Sequence, residues 1–399
     1  MKSDRYISTK HGVSGFSFAN LGLFTGFGDG IISAVYSLIL LEIWKTPEMV
    51  GLYSSAYFAF GLIIQIFFGE AMRMFSKAKL FYFAMFSIFV SYILLSFSVK
   101  PMTFLILDFF TAIPLVLIMT LIPLFMADFA GRGGIAKMNG RYHLWLNVGA
   151  VLAPVIAMQI AGVFGNRSAF FASSIMYLAG WIMFKHYNIV QEEKKLPRIS
   201  PNRTLRSIWR GVIQYFGRAD FRRAYALNFG YYAMKSLRIL YWPIIVIEAG
   251  FTKDALGLIL TAGILPYVIL SEPTGRIARR FGKKGTTAGL GLAFILFIAC
   301  SFLMFFAKGD MMIWIFIMMQ VSGAIQEALH DLVFFDVAKK DEQSRFYGIF
   351  NTSTNLPKFI TPLVGAAAIF LLGQTRAVWI ATGIFGIITT MVLFSGRKK

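Results

Sequence analysis

Twelve apolar runs constrain this chain more than any other feature. They cover approximately 16–43, 50–72, 80–98, 101–126, 143–164, 168–184, 224–247, 255–273, 285–306, 310–334, 347–372 and 376–395. Each can cross about 30 Å of hydrocarbon as a helix. No water reaches the bilayer core, so every backbone N–H and C=O there must be satisfied by the chain, which leaves helices or closed barrels. Barrel strands would read as alternating segments of about ten residues, and the sequence has none. With 57% hydrophobic residues, 42 Phe and only 15% charged residues, the 399-residue chain carries more apolar side chain than a soluble core can hide. An all-α membrane protein with twelve transmembrane helices is the expected fold class. Pro114, Pro154, Pro266 and Pro362 lie inside runs and are expected to kink their helices.

The net charge of +20 would suit nucleic acid, but its distribution argues otherwise. An even number of spans puts both termini on one side, with loops 2–3, 4–5, 6–7, 8–9 and 10–11. That side carries 30 of the 39 Lys and Arg, and the opposite loops carry one each: Lys45, Lys100, Arg167, Lys253, Lys308 and Arg376. This asymmetry places both termini in the cytoplasm. A multi-pass protein of the plasma or inner membrane is expected, with no nucleic-acid partner. The basic stretch 194–223 is expected to lie on anionic lipid headgroups. The polar N-terminal segment "MKSDRYISTKHGVSG" is too long for a cleavable signal, so the first span is expected to target the chain. The single cysteine, Cys300, cannot form an intrachain disulfide.

An internal repeat divides the chain. "WKTPEMVGLY" (44–53) recurs as "GFTKDALGLI" (250–259), with Thr46 and Gly51 matching Thr252 and Gly257 at an offset of 206. Gly69 with Gly275 and Glu42 with Glu248 keep that offset. "GRYHLWLNVGAVLAP" (140–154) matches "GIFNTSTNLPKFITP" (348–362) in its Gly, Asn and Pro at an offset of 208. A nearly constant offset over four loops marks two equivalent halves. The expected organisation is a six-helix bundle over 1–185, a cytoplasmic linker over 186–223 and a second six-helix bundle over 224–399. Parallel repeats of this kind are one of the transporter architectures.

Loop 8–9, "GRIARRFGKK" (275–284), resembles the cytoplasmic signature of the major facilitator superfamily (MFS). Gly275, Ile277, Ala278, Arg280, Gly282, Lys283 and Lys284 fit the pattern, and Arg279 stands where the family often has Asp. Loop 2–3, "GEAMRMFSKAK" (69–79), looks like a degraded copy that keeps Gly69 and Lys77, with Arg73 between them. "NVGAVLAPVIA" (147–157) is similar to the Gly/Pro motif of antiporter members, with Ala153 in place of its central glycine. Span 4 has Asp108 where many proton-coupled members have arginine. The resemblance implies alternating access, the two loops acting as the conformational switch, and a cavity lined by spans 1, 4, 7 and 10. Cations also suit the C-terminus of the helix entering loop 8–9, and glycines permit its tight turn.

Those four spans hold most of the intramembrane ionisable residues: Asp29, Asp108, Lys235, Arg238, Glu327, His330 and Asp331, with Lys358 on span 11. A charge at the bilayer centre costs about 2.5–3.5 kcal/mol on insertion scales, so such groups face cavities or partners. In "YYAMKSLRILYW" (231–242), Tyr231, Lys235, Arg238 and Trp242 fall at i, i+4, i+7 and i+11, one face of one helix. Gln320, Glu327 and Asp331 line a face of span 10. Asp29 and Lys235 stand at equivalent repeat positions, 206 residues apart. The flanking glycines of "GFGDG" (26–30) would admit another backbone or a ligand close to the acid.

Two accounts compete for these charges. They lock helices together, Asp29 and Asp108 neutralising Lys235 and Arg238, or they serve a ligand. On the second account Lys235, Arg238, Tyr231, Trp242, Asp108, Gln320 and Glu327 bind substrate, while Asp29 and Glu327 carry a coupling proton. An arginine holds a carboxylate or phosphate bidentately and a lysine adds a point charge. An organic or amphiphilic anion is therefore the expected substrate, with a multidrug efflux antiporter, a lipid or lysolipid flippase and a non-transporting receptor as the other readings. A secondary active transporter, acting as a monomer among membrane lipids, is the leading one. No metal cluster, phosphate loop or catalytic triad is present in the sequence, so neither an enzyme nor a cofactor is expected.

Overall fold

Each apolar run lies on helix in the computed structural model, which describes residues 7–9, 15–129, 131–186, 189–191, 201–330, 332–338 and 340–395. The first six runs become α1 (Gly15–Trp44), α2 (Pro47–Met74), α3 (Lys77–Phe97), α4 (Pro101–Phe129), α5 (Gly131–Phe164) and α6 (Ser168–His186). Two short strands, β1 (Ile7–Thr9) and β2 (Ile189–Gln191), pair antiparallel with Ile7 opposite Gln191. The linker then forms α7 (Pro201–Gly217), one residue before α8 (Ala219–Glu248), the seventh run. Runs eight and nine share α9 (Lys253–Phe306), broken at Gly282. Run ten stops earlier than the hydropathy suggests: α10 (Asp310–Leu329) gives way to a short α11 (Leu332–Val337). The last two runs are α12 (Lys340–Leu372) and α13 (Val378–Ser395).

Among the described residues, ten segments are long and apolar enough to cross a membrane on length and composition alone. The other two helices of the twelve are α6, rich in serine, and α8, which carries Lys235 and Arg238. The expected prolines sit inside α4, α5, α9 and α12, which continue past them. At Gly282 the backbone takes φ 57° and ψ −145°, a conformation only glycine holds without strain, and this is the turn between spans eight and nine.

Contacts group the chain into two units. One comprises Met1–Ile39, Ala59–Arg198 and Thr252–Thr261; the other comprises Leu40–Phe58, Ile199–Phe251 and Ala262–Lys399. In lipid, apolar surface gains nothing from leaving water, so helices associate through close packing and polar contacts. The first unit packs α3 against α4 and α6 through Phe81, Phe125 and Phe184, with Tyr177 edge-on to Tyr92. Its α1 and α5 touch backbone to backbone at Gly26 and Gly149. In the second unit α8 is central, packed on α12 and α13, with Trp242 stacked on Phe316 of α10 at 4.2 Å. Where the first half has Gly22, the second has Asn228 at the 206 offset. Its amide donates to the Ser353 hydroxyl of α12 at 2.7 Å.

The repeat also shows in matched contacts. In the second unit Gly51 of α2 lies against the Pro362 carbonyl of α12, where an added Cβ would stand 2.8 Å from that oxygen. In the first unit Gly257 of α9 meets the Pro154 carbonyl of α5 in the same way, at 3.2 Å. Both members of each pair are repeat equivalents. Arg167 donates to the Ser98 and Val99 carbonyls at the end of α3, and Arg376 to the Ala307 carbonyl just past the end of α9, at 2.6 Å. Two of the sparse cations of the less basic side thus satisfy orphan carbonyls at helix C-termini.

Candidate functional site

The second unit builds its polar cluster on the α8 stripe. Lys235 Nζ donates to Glu327 Oε1 of α10 at 2.8 Å, with side chains 27% and 29% exposed. Tyr231, one turn earlier, donates its hydroxyl to the same carboxylate oxygen at 3.2 Å and accepts from Lys235 at 3.3 Å. Tyr231 in turn stacks on His330 with ring centroids 4.5 Å apart, and Lys235 and Lys358 both lie over the Tyr232 ring. The cluster is a closed triangle of acid, base and phenol.

Arg238, one turn further along, is in a different position. Its side chain is 4% exposed. Its guanidinium donates to the Tyr267 hydroxyl of α9 at 2.7 Å and lies over the Tyr267 and Phe297 rings at 5.9 and 6.0 Å. Tyr267 passes its own hydrogen bond to the Gln320 amide oxygen at 3.4 Å. Among the described residues no carboxylate comes within ion-pair reach of Arg238. A guanidinium has five N–H donors, so most of this fork is unused by side chains of the unit. Gly323 makes the room: a Cβ there would stand 2.8 Å from Arg238 Nη1. Trp242, the last member of the stripe, is buried against Phe316 and Trp379 and backs the cluster.

In the first unit the acids have phenol partners. Asp29 of α1 accepts from the Tyr177 hydroxyl of α6, and Asp108 of α4, fully buried, accepts from Tyr36 at 2.7 Å. The glycines beside Asp29 are filled by protein: Gly28 by the Tyr177 ring and Gly30 by Ala153 of α5. Lys235 has Glu327 of its own unit as a counterion.

Of the residues singled out in the sequence, the structure puts Lys235, Tyr231 and Glu327 in contact and sets Arg238 and Gln320 on either side of Tyr267. Sequence reasoning missed Tyr267, Tyr177 and Gly323, and it set Tyr36 on the Asp29 stripe of α1 without pairing it to Asp108. A mid-span tyrosine is apolar enough to read as packing, and only its hydroxyl's position distinguishes it. Of the loop residues, Lys77 begins α3 and is buried, and Gly275 has open space around its Cα. Arg280 is exposed and lies over the Phe281 ring. Asp331 and the side chains at Gly69, Arg73 and Arg279 lie outside the described residues.

No curated protein matches the chain. Solved structures do match along nearly all of it. A D-xylose-proton symporter aligns with a TM-score of 0.77 at 14% identity, over 96% of each chain. The nucleoside transporter NupG gives 0.75 at 10% identity, covering 96% of this chain and 99% of that one. A POT family transporter in complex with a thioalcohol-conjugated peptide gives 0.74 at 14% identity, covering 95% and 94%. At such identities the likeness is one of fold. The family model described as Major Facilitator Superfamily matches twice, over residues 18–234 and 224–399, once for each half. With that double match spanning the twelve-helix chain, the protein belongs to the major facilitator superfamily and is a multi-pass membrane transporter.

Proposed function

We propose that this transporter is a proton-coupled secondary carrier of an organic or amphiphilic anion, working by alternating access as a monomer with both termini in the cytoplasm. The observation that carries the reading is Arg238: a buried guanidinium inside a membrane span that, among the described residues, has one hydrogen bond and no carboxylate partner. Such a group is unfavourable in hydrocarbon unless something anionic completes it. Lys235, one turn away on the same face, is held by Glu327 and can be drawn off by a stronger anion. The substrate carboxylate or phosphate takes the Arg238 fork and the Lys235 ammonium, with Tyr231 and Gln320 as flanking polar contacts. Glu327, released from Lys235, is then left to bind a proton, so substrate and proton load together. Asp29, at the repeat position of Lys235, is the second proton carrier. The loops around Gly69, Arg73 and Lys77 and around Gly275, Arg279, Arg280 and Gly282 set the balance between the two access states.

The test is binding by Arg238→Gln and Lys235→Gln proteins, each confirmed folded, against a panel of organic carboxylates, phosphate monoesters and their neutral amides or esters. A hydrogen bond to a charged group contributes about 1.5–3 kcal/mol. At 1.4 kcal/mol per decade, anion affinity should fall roughly 10- to 100-fold, with neutral analogues unchanged. Equal binding of every ligand by both variants would make the two cations structural. Preference of wild type for cationic drugs would favour efflux instead, through Asp108 and Glu327.

A further inference from the structure

The described side chains of the linker helix α7 show two faces. Gly211 and Tyr215, at i and i+4, pack into the core of the second unit: Gly211 lies against Ile349, and Tyr215 is completely buried among Phe221, Phe334 and Phe346. Trp209, Ile213 and Phe216, at i, i+4 and i+7, form an apolar stripe that the protein leaves open, with Trp209 66% and Ile213 56% exposed. In the sequence of the same helix, Arg203, Arg206 and Arg210 are spaced at i, i+3 and i+7, and no acidic residue accompanies them. Hydrophobic stripes of this kind, flanked by arginines and headed by a tryptophan, suit the boundary between acyl chains and headgroups.

The position of α7 fits the same boundary. Only Arg218 separates it from the membrane helix α8, and that residue pairs with Glu342 at 2.6 Å while lying 4.1 Å over the Phe221 ring. Arg222 closes the C-terminus of α7 by donating to the Phe216 carbonyl at 2.6 Å. Arg223 of α8 donates to the Leu393 carbonyl of α13. The stripe is held at the start of α8 itself, with Phe216 edge-on to Tyr225 at 5.0 Å.

We infer that α7 is an interfacial helix binding the anionic headgroup layer on the basic-loop side of the membrane, with Trp209, Ile213 and Phe216 in the acyl boundary and Arg203, Arg206 and Arg210 on lipid phosphates. The Tyr215 pocket and the Arg218–Glu342 pair fasten this lipid-bound helix to the start of α12. Lipid composition is thereby read by the second unit directly.

The test places a spin label at Ile213→Cys, or separately at Trp209→Cys, in the full-length Cys300→Ser protein. A Gln214→Cys label is the control. Each protein is reconstituted in phosphatidylcholine vesicles with or without phosphatidylglycerol. With phosphatidylglycerol, labels at 213 and 209 should collide with oxygen and be several-fold protected from a water-soluble nickel chelate, while 214 stays open to nickel. Changing all three arginines to glutamine should remove that protection, and inorganic phosphate added to phosphatidylcholine vesicles should not produce it. Nickel access at 213 and 209 equal to 214 in both lipids overturns the inference. So does equal immersion without anionic lipid, and so does spin–spin broadening, which would mean that a second copy covers the stripe.

Discussion

Gly26→Ala should reduce the yield of folded protein to near zero. A single methyl at this position in α1 would stand 2.8 Å from the Leu146 Cα of α5 and closer still to its carbonyl group. The obstacle is backbone, which has no rotamer to yield. On the facing helix Gly149 is tight in the same way, with its Cβ position 2.8 Å from the Phe27 nitrogen. The two helices cannot part without opening the contacts of Gly30 with Ala150 and Ala153 and of Gly22 with Tyr142. Overpacking costs about 1–3 kcal/mol where side chains can adjust, and more is expected where they cannot. Against a total stability of about 5–15 kcal/mol this is a large loss. Monodispersity of detergent extracts on size exclusion reads it directly. Gly162→Ala is the control, since nothing lies within 4 Å of its Cβ position and alanine favours helix. Equal recovery of the two variants would show that α1 and α5 do not pack this closely.

Asp29→Asn is expected to abolish uphill transport while sparing exchange down a gradient. Asparagine keeps the shape and still accepts the Tyr177 hydroxyl, so the fold is undisturbed. What it cannot do is bind and release a proton. One charge moved across 100 mV supplies about 2.3 kcal/mol, enough to hold roughly a 40-fold concentration ratio. In proteoliposomes loaded with an anion that the wild type accumulates, the variant's ratio should fall to one, with counterflow exchange retained. Accumulation at the wild-type ratio would remove Asp29 from the coupling path and leave Glu327 to be tested by Glu327→Gln. That second variant has an additional effect, because it strips Lys235 of its counterion, and substrate affinity should change along with coupling.

The helices and their number were legible because lipid permits so few backbone solutions. A chain with twelve runs of about twenty apolar residues must satisfy its amides locally, and local order is what a sequence displays. The repeat was legible for a related reason. Gly51 with Gly257 and Pro154 with Pro362 persist because each carries a backbone contact that tolerates little else, and the structure pairs them as Gly51–Pro362 and Gly257–Pro154. The stripe Tyr231, Lys235, Arg238 and Trp242 was also readable, since helical periodicity alone puts the four on one face.

Pairing was not. Nothing in periodicity distinguishes Glu327 from Asp29 as the counterion of Lys235, because the choice turns on a 2.8 Å approach between α8 and α10. Nor could the spacing single out Tyr267, on a helix outside the expected lining, as the group that holds Arg238. The helices, the repeat and the charged face could be read from local backbone chemistry. Which charges are satisfied depends on packing between helices. Electrostatic and hydrogen-bond energies fall off over a few ångströms, and that distance is set by how helices far apart in the chain come to lie side by side.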